Sequence, residues 1–183
     1  MQLSYIITGF APSNVNDKFV EAKKYFGSLI QFNGKEGVVI SQNTAHVTLK
    51  RKFYLKVGVE EKVVVRALDG IKFKPVLVKA KRLTVFRSPH LGNILVAWVD
   101  KNPGLMGLHA ELSGVVDRYI EFEVKTFLPH MSILYHLPEN RIDEAKEYIK
   151  KKIMPIVFTL DNFSLLKDTE VIKERVPVKG YYP

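Results

Sequence analysis

No cysteine occurs anywhere in the 183 residues, which removes disulfides, thiol nucleophiles and cysteine-ligated metals and agrees with a reducing cytoplasm. No apolar run reaches the ~18 residues that a membrane-spanning helix needs. The opening MQLSYIITGFAP lacks the basic start and small-residue cleavage site of a secretory signal, so the chain is expected in the cytoplasm and off the membrane. Acidic residues are absent between Ile71 and Val99, where Lys72, Lys74, Lys79, Lys81, Arg82 and Arg87 stand. Such a stripe either concentrates phosphorylated partners by long-range attraction or keeps a sheet edge from pairing, and charge pattern alone does not choose. It contributes to a formal charge of +9.

What is present reads as an ordinary globular protein, 46 % apolar and 26 % charged. The length suits one domain, 1–183, of two lobes, about 1–90 and 91–183, with strand exchange between them allowed. Strands are predicted over 3–9, 46–55, 72–86, 93–99 and 128–135, with further ones near 156–166 and 170–178. Helices are predicted over 16–30, ended by NGKEG, over 58–70, over 105–120 and over 139–153, the last stopped by Pro155. Strand, helix, strand, helix thus occurs twice, offset by roughly 80 to 90 residues. The expected fold is α+β and bilobal: two pseudo-twofold-related lobes whose antiparallel sheets face a central cleft, with helices packed outside.

Each half places a histidine at the head of its second strand, in AHVTLK (45–50) and PHMSIL (129–134). Side chains alternate across a strand, so His46, Thr48 and Lys50 share one face while Val47 and Leu49 take the other; His130 and Ser132 share a face likewise. Two imidazoles titrating near neutrality supply one base and one acid, as in-line displacement at phosphorus requires. The two hydroxyls donate to the non-bridging oxygens and Lys50 adds charge stabilisation. Neither histidine has an acidic or histidine neighbour at ligand spacing, so no metal and no cofactor is expected.

HVTLK and PHMSIL in this element order resemble the paired H-x-[ST] motifs of the two-histidine (2H) phosphoesterase superfamily, and within it the 2′,5′-RNA ligase-like proteins and RNA 2′,3′-cyclic phosphodiesterases. FRSPHLGNILVAWVDKNPGLMGLHAELSGVV resembles that family's middle strand and helix, and IVFTLDNFSLLK its closing strand. The resemblance implies metal-independent opening of a 2′,3′-cyclic phosphate at an RNA or nucleotide end to a 2′-phosphomonoester. It carries the catalytic histidines to His46 and His130 and the phosphate-binding hydroxyls to Thr48 and Ser132. Serine stands where threonine is common, and Tyr135 where a basic residue often lies, which leaves substrate preference more open than phosphate chemistry.

His130 is assigned as the base that activates water and His46 as the acid at the leaving ribose oxygen, with the opposite assignment left open. Lys50, Tyr135 and His136 are the candidate substrate-binding residues. His90 is read as a turn residue and His109 as a residue at the edge of its helix's apolar face, one position beyond Leu108. The partner is an RNA or nucleotide with a cyclic phosphate, handled by a monomer. The alternative is a non-catalytic RNA- or nucleotide-binding module using the same phosphate cleft.

Overall fold

Runs of β-branched and aromatic residues make the strands, and apolar stripes at three- and four-residue spacing make the helices. The computed structural model describes residues 4–28, 44–89, 91–121, 126–167 and 174–176. The order is β1 (Ser4–Phe10), α1 (Ser13–Tyr25), β2 (His46–Tyr54), α2 (Glu61–Asp69), β3 (Val76–Ser88), β4 (Gly92–Val99), α3 (Pro103–Val116), β5 (His130–Leu137), α4 (Ile142–Lys152), β6 (Ile156–Leu160), β7 (Phe163–Lys167) and β8 (Glu174–Val176). Among the described residues no helix is long and apolar enough to cross a membrane.

Local chemistry sets the element ends. The first helix stops at Tyr25, short of the expected residue 30, because Gly27 turns left-handed (φ 65°). The Ser28 N–H then reaches back to the Lys23 carbonyl at 2.8 Å and closes the last turn. The NGKEG segment lies outside the described residues, as does His90. In the second helix the start slips to Glu61 because Gly58 has φ 83°, a conformation no helix continues through. Asn102 caps α3, its side-chain oxygen accepting from the Leu105 N–H at 2.9 Å, with Pro103 in the first helical position.

The strands form two four-stranded antiparallel sheets, ordered β2-β1-β7-β8 and β5-β4-β3-β6. Position for position they correspond: a motif strand at one edge, its lobe's first strand beside it, then two more. The third strand in each sheet comes from the other half of the chain. β3 follows the first half's second helix yet pairs with β4, and β7 follows the second half's yet pairs with β1. The expected single strand near 156–166 is therefore two. Asp161 and Asn162 interrupt it where the chain crosses from one sheet to the other.

Register repeats in detail. Thr8 faces Thr48, but the next pair is Ile7 with Lys50. Val96 faces Ser132, and the next pair is Leu95 with Leu134. Each motif strand thus carries a bulge immediately after its motif hydroxyl, which turns the following side chains over. One continuous apolar core joins the halves, taking Ile7, Val47 and Leu49 from one sheet and Leu95, Met131 and Ile133 from the other, with Phe19, Leu68, Leu112 and Ile149 from α1, α2, α3 and α4. The two motif strands are in contact across this assembly.

Candidate active site

His46 heads β2 and His130 heads β5, and the same local bond holds both rings. His46 Nδ1 lies 2.8 Å from the Thr44 carbonyl and His130 Nδ1 lies 2.8 Å from the Leu128 carbonyl. A carbonyl can only accept, so Nδ1 carries the proton in each ring and Nε2 is left for chemistry. Aromatic edges hold the ring planes. Phe10, the cross-strand partner of His46, meets it at 6.3 Å and 69°. Phe86 meets His130 at 5.1 Å and 70°, and Trp98, its cross-strand partner, at 6.3 Å and 70°. Such edge-to-face contacts fix orientation as well as burying area.

A cavity of about 350 Å³ opens between the sheets. Thr48 and His130 line it from opposite lobes, with Arg51, Lys52, Phe127, Leu128 and Ile6 around them. His46 is only 8 % exposed. Burial pushes its pKa down to about 4, opposed by the Thr44 carbonyl and reinforced by Lys23 and His130. His130 is half-buried and lowered as well, first by burial and then by Arg51 against the support of the Leu128 carbonyl. The field of one histidine therefore reaches the other. Lys23, fully buried on α1, is itself lowered to about 8 by burial.

These shifts predict how stability depends on pH. Between the ordinary 6.5 and about 4 the unfolded chain binds a proton at His46 that the folded chain does not. Stability is therefore highest above pH 6.5 and falls with pH, by at most about 3 kcal/mol from this group at 1.36 kcal/mol per unit. Urea denaturation at pH 7 and pH 4.5 should show a smaller pH loss in His46→Gln than in the parent; equal losses would refute the assignment.

Of the expected binding residues, Tyr135 lies under the site rather than in it. It is buried, hydrogen-bonded with Ser132, and lies 5.9 Å from the Lys23 ammonium, so it holds the motif hydroxyl in place. Burial raises its pKa and the Ser132 bond partly offsets the rise. Lys50 is corrected outright. The bulge after Thr48 turns it to the core side, where it is 0 % exposed and its ammonium pairs with Asp117 and bonds Ser113 at 3.2 Å. His136 is also corrected. It lies six residues along β5 from His130, about 20 Å at the usual strand rise, exposed and left-handed at φ 51°.

The bulge brings Arg51 to the cavity wall in place of Lys50, and strict alternation gives no hint of it. His109, expected at the edge of its helix's apolar face, grips the bulge: its Nδ1–H donates to the Leu49 carbonyl at 2.7 Å. Its ring stacks on Phe127 of the cavity wall, 3.9 Å between centroids and 7° from parallel. Among the described residues no three His, Asp or Glu side chains converge to hold a metal ion.

Two pseudo-symmetric sheets, each with an edge strand that begins at a histidine and carries a hydroxyl two residues on, and with Thr48 of one and His130 of the other lining a shared cavity, have the layout of the two-histidine phosphoesterase class. A family model described as the 2'-5' RNA ligase superfamily matches residues 21–171, and the chain belongs to that family of phosphoesterase and ligase-like enzymes. Solved structures with this fold include LigT of E. coli complexed with 3'-AMP, with 14 % identity and TM-score 0.60 over 91 % of this chain and 88 % of that one. Usb1 of Kluyveromyces marxianus with uridine monophosphate has 15 % identity and TM-score 0.51 over 93 % and 96 % of the two chains. TT0787 of Thermus thermophilus has 20 % identity and TM-score 0.52 over 89 % and 87 %. A search of curated proteins by sequence found no match.

Proposed function

We propose that the protein is a metal-independent phosphodiesterase that opens 2′,3′-cyclic phosphate ends of RNA or nucleotides to 2′-phosphomonoesters. The observation that carries this reading is the pair of Nδ1-anchored histidines, each leaving Nε2 for proton transfer beside a hydroxyl at the second position along its strand. Water attacks phosphorus as His130 Nε2 removes its proton; the bond from phosphorus to the 3′ oxygen breaks, and His46 Nε2–H protonates that oxygen. His130 takes the base role because it lines the open cavity where water enters, whereas His46 is closed off. Thr48 and Ser132 hold the non-bridging oxygens, and Arg51 and Lys52 supply positive charge at the mouth. The two histidines complete both proton transfers themselves, so the scheme calls for no metal. With the 5′-hydroxyl of a second RNA attacking in place of water, the same groups join the two ends through a 2′,5′ linkage.

One domain working as a monomer in the reducing cytoplasm completes the reading. Its test is incubation with the four 2′,3′-cyclic mononucleotides and a short RNA ending in a cyclic phosphate, with products separated as 2′ or 3′ monoesters. Release of 2′ monoesters is expected; binding without any product would leave a nucleotide-binding module instead. Removing one oxyanion donor costs about 10²-fold in kcat, so Thr48→Ala should fall by that order while Thr48→Ser retains most activity. A Thr48→Ala enzyme with unchanged kcat would remove the hydroxyl from the reaction.

A further inference from the structure

On the open face of the second sheet, a cross-strand row leads away from the site. His130 pairs with Trp98, and Trp98 pairs with Arg82 on β3. Side chains directly opposite one another share a face, so imidazole, indole and guanidinium follow in line. Phe86 lies on the same face, 5.5 Å from Trp98 and 5.1 Å from His130. Trp98 and Phe86 are half-buried and Arg82 is exposed, with no ion pair among the described residues. The corresponding row of the first sheet runs from His46 to Phe10 and stops, because β7 pairs with β1 only from Tyr5 to Thr8. The lobes are pseudo-symmetric in their motifs and unlike in this extension.

We infer that the Trp98–Phe86–Arg82 face is a binding track for the RNA strand on the 5′ side of the terminal cyclic phosphate, so that the protein works on RNA ends in preference to mononucleotides. This rests on the reading of the reaction given above. Two strand spacings put Arg82 about 10 Å from His130, beyond the terminal phosphate and within reach of the next one. Aromatic faces stack bases of any identity, and a cation at the far side pairs with the backbone. A cyclic mononucleotide has no such second phosphate, which leaves Arg82 nothing to hold. Lys79 and Lys81 on the same strand extend the positive field, and no acid lies between Ile71 and Val99 to cancel it. Arg87, by contrast, is paired with Glu139 at 2.7 Å.

Trp98 is the one tryptophan of the chain, so its emission reports the track directly. An RNA tetranucleotide ending in a 2′-phosphate should quench it and bind at least about tenfold more tightly than the same 2′-mononucleotide. In kinetics, Arg82→Ala should lower the ratio of kcat/KM for a cyclic-ended tetranucleotide over a cyclic mononucleotide by about tenfold, chiefly through KM. It should also flatten the salt dependence by about 0.7 in log–log slope, as loss of one single-strand phosphate contact does. Arg87→Ala, with the same loss of charge, should leave the ratio unchanged.

A ratio unaltered by Arg82→Ala, or Trp98 emission indifferent to the tetranucleotide, overturns the track while leaving the reaction standing. If the parent protein turns over neither substrate, the reaction reading falls instead. Quenching and its dependence on Arg82 then decide the track by themselves.

Discussion

Alanine at His46 or at His130 should lower kcat on a 2′,3′-cyclic phosphate by about 10³-fold, within the range a positioned general acid or base contributes. The loss should be the same with a chelator present. Each ring performs one half of a coupled transfer, so removing the second should add little to removing the first. The denaturant midpoint of each single variant, expected close to the parent's, verifies that the loss is of chemistry and not of folding. Full turnover in either variant would end the two-histidine assignment.

The pH profile gives the same prediction a sign. Productive enzyme holds one proton on the pair, and in the free protein that proton is weakly bound, since burial depresses His46 to about 4 and lowers His130 too. Above the higher of the two values the singly protonated fraction falls tenfold per pH unit. The optimum of kcat/KM, which reports the free enzyme, should therefore lie below pH 6.5 and belong to the pair rather than to one ring. A bound phosphate anion favours imidazolium, so the kcat optimum should sit at higher pH. Coincident optima at or above pH 7.5 would contradict the free-state burial of these rings.

The second large effect concerns stability. Asp117→Ala should cost about 3 kcal/mol in urea unfolding, because it removes the Asp117 carboxylate from the fully buried Lys50 ammonium. Lys50→Met should cost distinctly less, about 1 kcal/mol: methionine fills the stem's volume, and the released Asp117, 49 % exposed, returns to water. Equal losses in the two variants would show that the pair is not asymmetrically buried. Both changes act two residues beyond Thr48, at the bulge that His109 also grips through the Leu49 carbonyl.

Much of the molecule was legible from residue pattern. Among the described residues the helices followed from apolar spacing or, at 58–70, from first-turn acids and a closing glycine; the motif strands followed from their apolar, β-branched content, and the two histidine–hydroxyl pairs from their equivalent places in the repeat. Two features were not. Alternation put Lys50 beside Thr48, whereas the bulge turns it into the core and brings Arg51 forward. Nothing local marks the bulge, since HVTLKRKFY reads as an unbroken strand and the slip appears only against β1. Likewise FTLDNFSLL reads as one strand with a polar pause, and the two sheets divide it, β6 closing one as its fourth strand and β7 entering the other as its third.

Sequence by itself determined the α+β order, the doubled half and which histidine shares a face with which hydroxyl, because a strand's two-residue period and a helix's spacing are local properties. Tertiary structure decided which basic side chain reaches the cavity, which half lends β3 and β7 to the other, and that Trp98 and Arg82 continue the line of His130. Those outcomes depend on hydrogen-bond register between segments far apart in the chain, and a one-residue slip in that register carries a side chain from one face to the other.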